Sequence, residues 1–463
     1  MKYVSTRGDA PALDFGDALL TGLAVDGGLY VPDSLPPFDP EQLAAWRGRP
    51  YAEVATGVLA DLVAPALSVD ELGPMVEAAY ATFDHDDVVP LRQLGEECHL
   101  LELFHGPTLS FKDVALQLVG RLFEHELART GRTITIVGAT SGDTGSAAIE
   151  AMRDRDGVQL VMLHPAGRVS EVQRLQMTTV EAPNIHNVAV EGTFDDCQDI
   201  VKALFADRSL RDDVGLAAVN SINIARVAAQ SVYYVTAALA LGAPDRRVAF
   251  TVPTGNFGNV YAGHLARRRG LAVEPFTVAT NRNDILARFL LDGEMRIDHV
   301  EPSLSPAMDI QVSSNFERLL WEALDRDGAA VAEAIGELRS GGVLPVGSEV
   351  VERIRAGFRG DRSSDEQTTA TIARVHDEHD VLIDPHTAVG VGVAARTPTE
   401  ADVMKVVLAC AHPAKFGDTV MDATGHRPEL PERLADLPDR PERFVTVPDD
   451  VDVVRDLVRE HAR

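Results

Sequence analysis

Cysteine, long apolar runs and lysine are scarce in this sequence of 463 residues, and each shortage excludes a class of protein. The three cysteines, Cys98, Cys197 and Cys410, form no CxxC pair and are odd in number, which argues against a disulfide framework and fits a reducing compartment. No run of ~18 apolar residues occurs, so we expect no transmembrane helix. The first residues also lack the apolar stretch of a secretory signal. These shortages predict a cytoplasmic protein.

Positive charge is the next shortage. The formal net charge is -28, and the only lysines are Lys2, Lys112, Lys202, Lys405 and Lys415. Nucleic acid and anionic membranes are bound by clustered Lys and Arg, so we expect neither as a partner. A small anionic substrate needs only a local group of donors, and it is compatible with this charge.

The chain divides into two regions of different pattern. Residues 1–90 begin with a Gly/Pro-punctuated stretch and continue with helices that have acidic faces, which predicts a separate N-terminal domain. Residues 91–463 alternate short apolar runs with amphipathic helices, which predicts an α/β fold with a largely parallel sheet. The predicted strands are Leu100–Leu103, Thr133–Val137, Gln159–Leu163, Asn187–Val190, Val248–Val252, Pro275–Val278 and Lys405–Leu408, and the predicted helices include Lys112–Ala128, Gly145–Arg155 and Asn259–Arg269. The proline-rich end is predicted to be a surface segment that finishes in a short helix.

The segment Glu102–Asp113 is the first that carries chemistry. It follows a predicted strand and opens a helix, with Ser110 as the expected N-cap and Lys112 in the first turn. The positive end of the helix dipole and apolar surroundings would both favour the neutral amine. A neutral lysine is nucleophilic and can form an imine. Equally, a lysine at a helix start can be a tolerated surface residue.

Two further segments join a strand to a helix through a turn rich in small residues. Ile136–Ala148 matches neither GxGxxG nor GxxxxGK[ST], so it predicts neither a dinucleotide site nor a P-loop. Its hydroxyls and backbone N–H groups suit a carboxylate or phosphate, or else the glycines only serve a tight turn. Phe250–Asn259 places glycines on both sides of Phe257, which makes a nest of N–H donors suited to a cofactor phosphate. Two such loops together with one activated lysine are a stronger indication than any one of them.

These segments bear a resemblance to a known family. The chain resembles the threonine synthases, in the branch with a separate N-terminal domain, within the fold-type-II pyridoxal-phosphate enzymes. The Gly106–Asp113 run together with His412–Phe416 is highly specific to this branch. The likeness covers nearly the whole chain and also rests on Lys2–Gly8, Leu20–Pro32, Asn220–Arg226 and Asp309–Arg318.

The resemblance implies a fold and a reaction. The fold would be tryptophan-synthase-β-like, with two α/β domains around the cofactor in residues 91–463, a smaller mobile subdomain at roughly 130–240, and the N-terminal domain at 1–90. The reaction would be the pyridoxal 5'-phosphate-dependent γ-elimination of phosphate from O-phospho-L-homoserine and β-addition of water, giving L-threonine in the last step of its biosynthesis. The enzyme would be a carbon–oxygen lyase and a monomer or homodimer.

The resemblance also implies roles for individual residues. Lys112 would hold the cofactor as a Schiff base and move protons. The cofactor would further be bound through its phosphate by Gly255, Asn256, Phe257, Gly258 and Asn259, through its 3-oxygen by Asp143, and beside its pyridine nitrogen by Cys410, where the family usually has Ser or Thr. The substrate would be bound by Ser141, Gly142, Thr144, Asn223, Arg226 and Lys415. Ordinary roles compete: Cys410 as a small buried hydrophobe, and Arg226 and Lys415 as capping or surface cations.

Other candidates and other reactions stay open. Arg168 and His412 are weaker candidates for the substrate phosphate, and Asn281 and Asn283 for closing the site, with turn formation favoured for the last two. The histidines at 376, 379 and 386 complete no metal motif. Another reaction of the same fold, such as a dehydratase or a phospho-lyase that releases 2-oxobutyrate, would share Lys112 but not His412–Phe416. A non-enzymatic relative is disfavoured by the intact lysine and both loops.

Overall fold

The computed structural model describes residues 1–400 and 402–462, which form layers of helices around two parallel sheets and one small N-terminal ribbon. The strands are β1 (Tyr3–Ser5), β2 (Tyr30–Pro32), β3 (Leu91–Gln93), β4 (Cys98–Glu102), β5 (Ile134–Ala139), β6 (Val158–Pro165), β7 (Ile185–Glu191), β8 (Leu216–Ala217), β9 (Val248–Pro253), β10 (Phe276–Thr280), β11 (Phe358–Arg362), β12 (Met404–Ala409) and β13 (Val445–Pro448). The chain is therefore an α/β protein, as predicted.

The helices follow the strands along the chain and cover both faces of each large sheet. They are α1 (Phe15–Thr21), α2 (Pro40–Ala45), α3 (Tyr51–Val63), α4 (Val69–Tyr80), α5 (Lys112–Thr130), α6 (Asp143–Met152), α7 (Glu171–Thr178), α8 (Phe194–Ala206), α9 (Arg208–Val214), α10 (Ile224–Ala240), α11 (Gly258–Arg268), α12 (Ile285–Asp292), α13 (Phe316–Ala323), α14 (Gly328–Gly341), α15 (Ser348–Arg355), α16 (Asp365–His379), α17 (Pro385–Arg396), α18 (Gly417–Thr424) and α19 (Val451–His461). Short 3-10 helices occur at Pro306–Met308, Pro413–Phe416, Glu432–Leu434 and Leu437–Asp439. Among the described residues, no helix is both long and apolar enough to cross a bilayer.

The larger sheet has six strands in the order β11-β10-β9-β12-β4-β3. All neighbours are parallel except β3, which runs antiparallel to β4 at the edge. Every residue of β9 is buried, because helices cover both faces of the sheet. This is why β9 reads as a continuous apolar run in the sequence. The carboxyl ends of β9 and β4 lead into the turn that opens α11 and the segment that opens α5.

The smaller sheet has five parallel strands in the order β13-β7-β6-β5-β8. Its edge strand β13 comes from the C-terminal region and pairs with β7. The prediction that the proline-rich end is only a surface segment is therefore wrong, although its final short helix is confirmed as α19. Val454 and Val458 of α19 pack into the same core as Val188, so this tail completes the smaller sheet.

Two buried arginines join the N-terminal segment to the rest of the molecule. Arg269 donates to the backbone oxygens of Val58 at 2.6 Å and Pro36 at 2.9 Å, and it forms an ion pair with Asp61 at 2.6 Å. Each is a hydrogen bond from a charged donor, the stronger kind. They fix the N-terminal helices against the large sheet.

The second arginine, Arg318, is fully buried and connects three segments. Its guanidinium donates to the backbone oxygen of Tyr30 at 3.0 Å and to that of Ile222 at 2.6 Å, and it also bonds to the side chain of Asn315. Asn315 in turn donates to the backbone oxygen of Asn256 at 2.9 Å. The N-terminal strand β2, the loop before α10 and the turn before α11 are thus held in one hydrogen-bonded unit.

All seven predicted strands and the three predicted helices are confirmed, each within a few residues of its predicted ends. The predicted N-cap is wrong. Phe111 occupies the N-cap position of α5, and the hydroxyl of Ser110 is buried without a partner among the described residues. Lys112 nevertheless lies in the first turn, as predicted.

Candidate active site

A cavity of about 1470 Å³ lies between the two sheets. It is lined from the large-sheet side by Lys112 and by the turn 254–259, from the small-sheet side by the loop before α6, and at its mouth by the N-terminal residues 20–25. Eleven of the predicted site residues line it: Lys112, Ser141, Asp143, Thr144, Arg226, Gly255, Asn256, Phe257, Gly258, Asn259 and Cys410. The amine at 112 and the turn at 255–259 therefore face one shared space.

Lys112 is buried at the first turn of α5, with 6% of its surface exposed. Its Nζ donates to Oδ2 of Asp143 at 3.2 Å and lies 4.6 Å from the centre of the Phe111 ring. We expected apolar surroundings that would favour the neutral amine. The structure instead places the carboxylate of Asp143 within ion-pair distance of Nζ.

Asp143 opens helix α6 and accepts hydrogen bonds on both carboxylate oxygens. Lys112 donates to Oδ2, whereas Oδ1 accepts from Gln173 Nε2 at 2.7 Å and forms an ion pair with Lys415 Nζ at 3.0 Å. Burial alone would raise the pKa of Asp143, but the ammonium groups of Lys112 and Lys415 outweigh it and hold that pKa well below its usual range. Asp143 is therefore a buried, ionised acceptor at the floor of the cavity.

The loop that precedes Asp143 is shaped by Thr140. The Thr140 hydroxyl oxygen accepts hydrogen bonds from the N–H groups of Gly142 at 3.0 Å and Gly145 at 2.9 Å. Gly142 has a φ of 146°, and a Cβ there would lie 2.5 Å from the side chain of Gln173. Only glycine fits this position, because the backbone conformation is rarely open to other residues and Gln173 occupies the space. Gly142 itself does not line the cavity, unlike its neighbours Ser141 and Thr144.

The turn 254–259 connects strand β9 to helix α11. Phe257 has a left-handed backbone with φ of 63°, which is uncommon for a residue with a side chain and lets the chain reverse before the helix. A Cβ on Gly255 would lie 2.7 Å from the backbone oxygen of Ala307, so the neighbouring 305–310 segment packs directly against the turn. The N-terminus of α11 thus points its N–H groups at the cavity, an arrangement that attracts anions.

Asn259, in the first turn of α11, presents a donor without a partner. Its Oδ1 accepts from the hydroxyl of Tyr234 at 2.8 Å and from that of Tyr233. These bonds orient the amide so that Nδ2 is buried and has no partner among the described residues.

Arg226 presents a second unpaired donor group from helix α10. The residue is 4% exposed, and its Nε and Nη1 have no hydrogen-bond partner among the described residues. Burial lowers the pKa of Arg226 to about 10, so the guanidinium is still charged at neutral pH. A buried, unpaired cation costs several kcal/mol unless a ligand compensates it. An anion in this part of the cavity would satisfy Arg226.

Cys410 follows strand β12 and lines the cavity. Its Sγ lies 3.7 Å from the backbone oxygen of Leu408, to which the thiol can donate. Burial raises the pKa of the Cys410 thiol well above its usual range, so the thiol is protonated at neutral pH. This geometry is compatible both with a weak donor facing the cavity and with a small buried side chain.

His386 lines the cavity, whereas the sequence indicated it only as part of an incomplete metal group with His376 and His379. It is 3% exposed, its Nδ1 lies 2.8 Å from Oδ1 of the buried Asp384, and its Nε2 accepts from the N–H of Ala307 at 3.3 Å. These two contacts assign the proton to Nδ1. In the sequence, Asp384-Pro385-His386 indicates only a helix N-cap followed by proline. In the structure, Asp384 is indeed the N-cap of α17.

Two predicted substrate ligands have other partners in the structure. Asn223 is the N-cap of α10: its side chain accepts from the N–H of Ala225 at 3.0 Å and donates to the backbone oxygen of Leu19 at 2.9 Å. Lys415 is 1% exposed and its Nζ contacts three protein acceptors. Neither residue lines the cavity, so these contacts do not support a direct role in substrate binding.

The weaker candidates lie outside the cavity lining. Arg168 is exposed, and His412 caps the 3-10 helix at 413–416 by accepting from the N–H of Ala414 at 3.2 Å. Asn281 and Asn283 both donate to Asp309, at 2.8 and 2.9 Å, and so hold the segment that packs on the 254–259 turn. No group of three or more potential metal ligands occurs among residues 1–400 and 402–462.

The cavity residues fit a phosphorylated aldehyde such as pyridoxal 5'-phosphate. A primary amine is present in Lys112, and a helix N-terminus with the unpaired Asn259 amide is present for a phosphate. Asp143 supplies an acceptor for a hydroxyl. No carboxylate faces Cys410 across a hydrogen bond, so a ring nitrogen placed there would meet only a weak donor.

Comparisons with known proteins place this site in a family. Three family models match the chain: threonine synthase N terminus over residues 2–80, pyridoxal-phosphate dependent enzyme over 87–340, and threonine synthase C-terminal over 387–458. The threonine synthase of Pseudomonas aeruginosa is 53% identical over 462 residues, covering 100% of this chain and 98% of the relative.

Comparison with solved structures indicates the same family. The pyridoxal-phosphate-bound threonine synthase of Brucella melitensis is 50% identical and superposes with a TM-score of 0.98, with 100% of each chain covered. The yeast threonine synthase is 39% identical and superposes with a TM-score of 0.94, covering 99% of this chain and 98% of that one. On this similarity in sequence and structure, the chain belongs to the threonine synthase family of pyridoxal-phosphate-dependent enzymes.

Proposed function

We propose that this chain converts O-phospho-L-homoserine and water into L-threonine and phosphate, with pyridoxal 5'-phosphate as its cofactor. The observation that carries the proposal is the shared cavity, which joins the Lys112 amine, the 255–259 turn and the unpaired guanidinium of Arg226. A substrate with an amine, a carboxylate and a phosphate needs an imine-forming lysine and two anion sites. The membership of the family supports the same reaction.

Lys112 is assigned the covalent attachment of the cofactor and the proton transfers. The Lys112 amine would hold the cofactor and, when free, would remove the proton from the substrate Cα. When bound, the cofactor spreads the negative charge that develops at the substrate carbon. Loss of a Cβ proton and departure of the γ-phosphate follow, and addition of water at Cβ with reprotonation completes threonine.

The anionic ends of the substrate and cofactor are assigned to separate donors. The turn at 255–259 and the Asn259 amide bind the cofactor phosphate, supported by the helix N-terminus behind them. Ser141 and Thr144, which line the cavity, bind the substrate carboxylate through hydroxyl and N–H groups at the start of α6, whereas the N–H of Gly142 is already bonded to the Thr140 hydroxyl. Arg226 binds the substrate phosphate, because a guanidinium can pair with phosphate through two parallel hydrogen bonds.

Two contacts with the cofactor ring are assigned to the cavity floor. Asp143 accepts from the 3-hydroxyl, since an ionised carboxylate can only accept. Cys410 would hold the side of the ring that carries the pyridine nitrogen, and its weak thiol donor would leave that nitrogen largely unprotonated.

Closure around the substrate completes the proposal. We infer a domain division into 1–90, 91–463 and a smaller mobile part at roughly 130–240 that carries the 141–144 loop. Moving this part towards the large sheet would exclude water while the reactive carbon is exposed. Superposable structures with and without a substrate analogue would contradict the movement.

The remaining properties are part of the same proposal. The enzyme acts on a small molecule, works in the cytoplasm as a monomer or homodimer, and binds no nucleic acid, since its charge of -28 repels polyanions. Size-exclusion chromatography with light scattering decides the oligomeric state.

Product analysis with O-phospho-L-homoserine tests the function. The expected products are threonine and phosphate in equal amounts, whereas phosphate with 2-oxobutyrate would indicate a phospho-lyase. Lys112→Ala should remove the visible imine absorption and lower turnover by ~10²–10⁴-fold or more. Lys2→Ala, at an exposed N-terminal lysine, is the control and should retain both. Persistence of the absorption in Lys112→Ala would place the attachment on one of the other four lysines.

A further inference from the structure

Lys415 is the most completely bonded lysine of the described chain. It lies in the 3-10 helix 413–416, 1% exposed, and its Nζ contacts Thr108 O at 2.7 Å, Gln176 Oε1 at 2.8 Å and Asp143 Oδ1 at 3.0 Å. Two of its three donor hydrogens are used in hydrogen bonds to Thr108 and Gln176, and the charge is paired with Asp143. Binding a substrate phosphate would require it to give up at least one of these contacts.

Asp143 therefore has two cationic partners of different character. Lys112 binds Oδ2 from the cavity side, and Lys415 binds Oδ1 from outside the cavity lining. Gln173 supports the second contact from helix α7: its Nε2 donates to Oδ1 at 2.7 Å, and its own Oε1 accepts from Ser170 Oγ at 2.8 Å. The Oδ1 side of the carboxylate is fixed, whereas the Oδ2 side faces the reaction.

The proposed reaction requires Lys112 to lose its positive charge next to Asp143. Lys112 has to lose its proton to become a nucleophile and a base. A buried carboxylate next to it opposes this loss, because the loss would leave the carboxylate as an uncompensated charge at low dielectric. Lys415 removes this conflict, since it keeps a positive charge on Asp143 when the charge of Lys112 is gone.

We propose that Lys415 is a positioning residue, the permanent counter-ion of Asp143 that allows Lys112 to give up its proton beside a carboxylate. The proposal rests on the proposed function, because it assigns the proton transfers to Lys112. It also explains why Lys415 is buried with two protein hydrogen bonds and an ion pair to Asp143. Lys415 acts through Asp143 and does not touch the substrate.

Other charged groups face this cluster from the elements packed against it. Asp113 lies on α5 near Lys415, and Asp384, His386 and Cys410 face it from α17 and the end of β12. Asp113 accepts from the N–H and hydroxyl of Thr108 at 2.8 and 2.7 Å, and Asp384 is bonded to His386. Each of these carboxylates has its own donors, which leaves Lys415 as the second cation in contact with Asp143.

The test is a pH titration of the visible absorption of the holoenzyme, which reports the proton at the Lys112 nitrogen independently of turnover. Lys415→Met and Lys415→Gln remove the charge, and Lys415→Arg keeps it. Without the charge, the proton at Lys112 becomes the only compensation for Asp143, so the midpoint pH of its loss should rise by about one unit or more. Lys415→Arg should stay close to the parent protein.

A double-mutant cycle shows whether the effect passes through Asp143. In the Asp143→Asn background there is no carboxylate to compensate, so adding Lys415→Met should shift the midpoint by less than half as much. Lys405→Met is the matched control: Lys405 is partly buried on β12 and donates to Ala394 O at 3.2 Å, away from the cavity lining. It should leave the midpoint unchanged. Circular dichroism verifies that each variant is folded.

The outcomes are distinct. A higher midpoint in Lys415→Met and Lys415→Gln that largely disappears with Asp143→Asn supports the proposal, as does a fall in kcat at nearly constant KM. An unchanged midpoint, an equal shift in both backgrounds, or an unchanged spectrum with a KM raised tenfold overturns it, and the last result would make Lys415 a substrate ligand. If the parent holoenzyme forms no threonine but shows the shift, the proposed function fails while the counter-ion role stands.

Discussion

Replacing Arg226 with methionine should stabilise the cofactor-free protein and weaken substrate binding. Burial lowers the pKa of Arg226 to about 10, compared with its usual 12.5. At 1.36 kcal/mol per pKa unit, burial disfavours the charged guanidinium by about 3 kcal/mol. Methionine keeps most of the apolar packing and carries no charge, and Nε and Nη1 have no protein partner to lose. We expect a gain of ~1–3 kcal/mol in the free energy of unfolding.

The same substitution should have the opposite effect on the substrate. Truncating one side of a buried, hydrogen-bonded charge pair costs ~2–5 kcal/mol, so KM for O-phospho-L-homoserine should rise ~30-fold or more in the holoenzyme. The stability assay is denaturant unfolding of cofactor-free protein in buffer without phosphate or sulfate, since either anion would bind and stabilise it. The substrate assay is steady-state kinetics with saturating cofactor.

Arg269→Met is the matched control for this prediction. Arg269 is as buried as Arg226, at 2% exposure, but its guanidinium is bonded to Pro36, Val58 and Asp61. Removing it leaves those acceptors unpaired, so the cofactor-free protein should lose ~3 kcal/mol or more. The two substitutions should therefore change stability in opposite directions. If Arg226→Met destabilises the protein as Arg269→Met does, or leaves KM unchanged, the assignment of Arg226 to an anion is wrong.

Two further predictions concern the cofactor turn and the pH range of stability. Gly255→Ala would place a Cβ 2.7 Å from the backbone oxygen of Ala307 and so displace the turn. The dissociation constant for pyridoxal 5'-phosphate, measured by absorption titration, should rise ~10-fold. The control Gly73→Ala, where a Cβ would meet no atom within 4 Å, should leave the dissociation constant unchanged. Burial lowers the pKa of His412 to about 4, below its value of about 6.5 in the unfolded chain, so the stability it contributes is complete above pH 6.5 and is lost as the pH falls towards 4. The variant His412→Asn retains an acceptor for the N–H of Ala414. Between pH 7 and 4, the denaturant midpoint of its unfolding should fall less than that of the parent protein. Equal pH dependence of the two midpoints would refute the role of His412.

The sequence predicted the elements that are buried on both faces and missed those at edges. Strand β9 is a continuous apolar run because both of its faces are covered, so its pattern alone indicated a parallel sheet. Strand β13 has three exposed residues of its four and lies among prolines, so its pattern resembled a surface segment. What makes it a strand is pairing with β7, a contact that local sequence does not encode.

The sequence predicted the parts of the site that lie within a single segment. It did not predict the polar and charged side chains that distant segments bring to the site. Lys112 and the 255–259 turn each sit on a strand-to-helix connection, which carries a local signal. Gln173 and His386 carry no such signal, and the N-cap was misassigned to Ser110 because a serine before a helix usually caps it. The expectation of an apolar environment for Lys112 failed for the same reason: Asp143 reaches it only through the packing of α6 against α5.

The acidic composition is compatible with anion binding in the cavity, because salt screens exposed charges strongly and buried charges much less. Most of the surface charges that sum to -28 lie in water, where salt screens them within about 10 Å. Lys112, Lys415 and Arg226 are 6%, 1% and 4% exposed, so their fields at the cavity are screened much less. Against these three cations, Asp143 is the one carboxylate of the described chain that contacts both lysines. Binding of a doubly charged phosphate ester therefore depends on the buried guanidinium of Arg226, which has no partner at Nε and Nη1 among the described residues, rather than on the net charge of the protein.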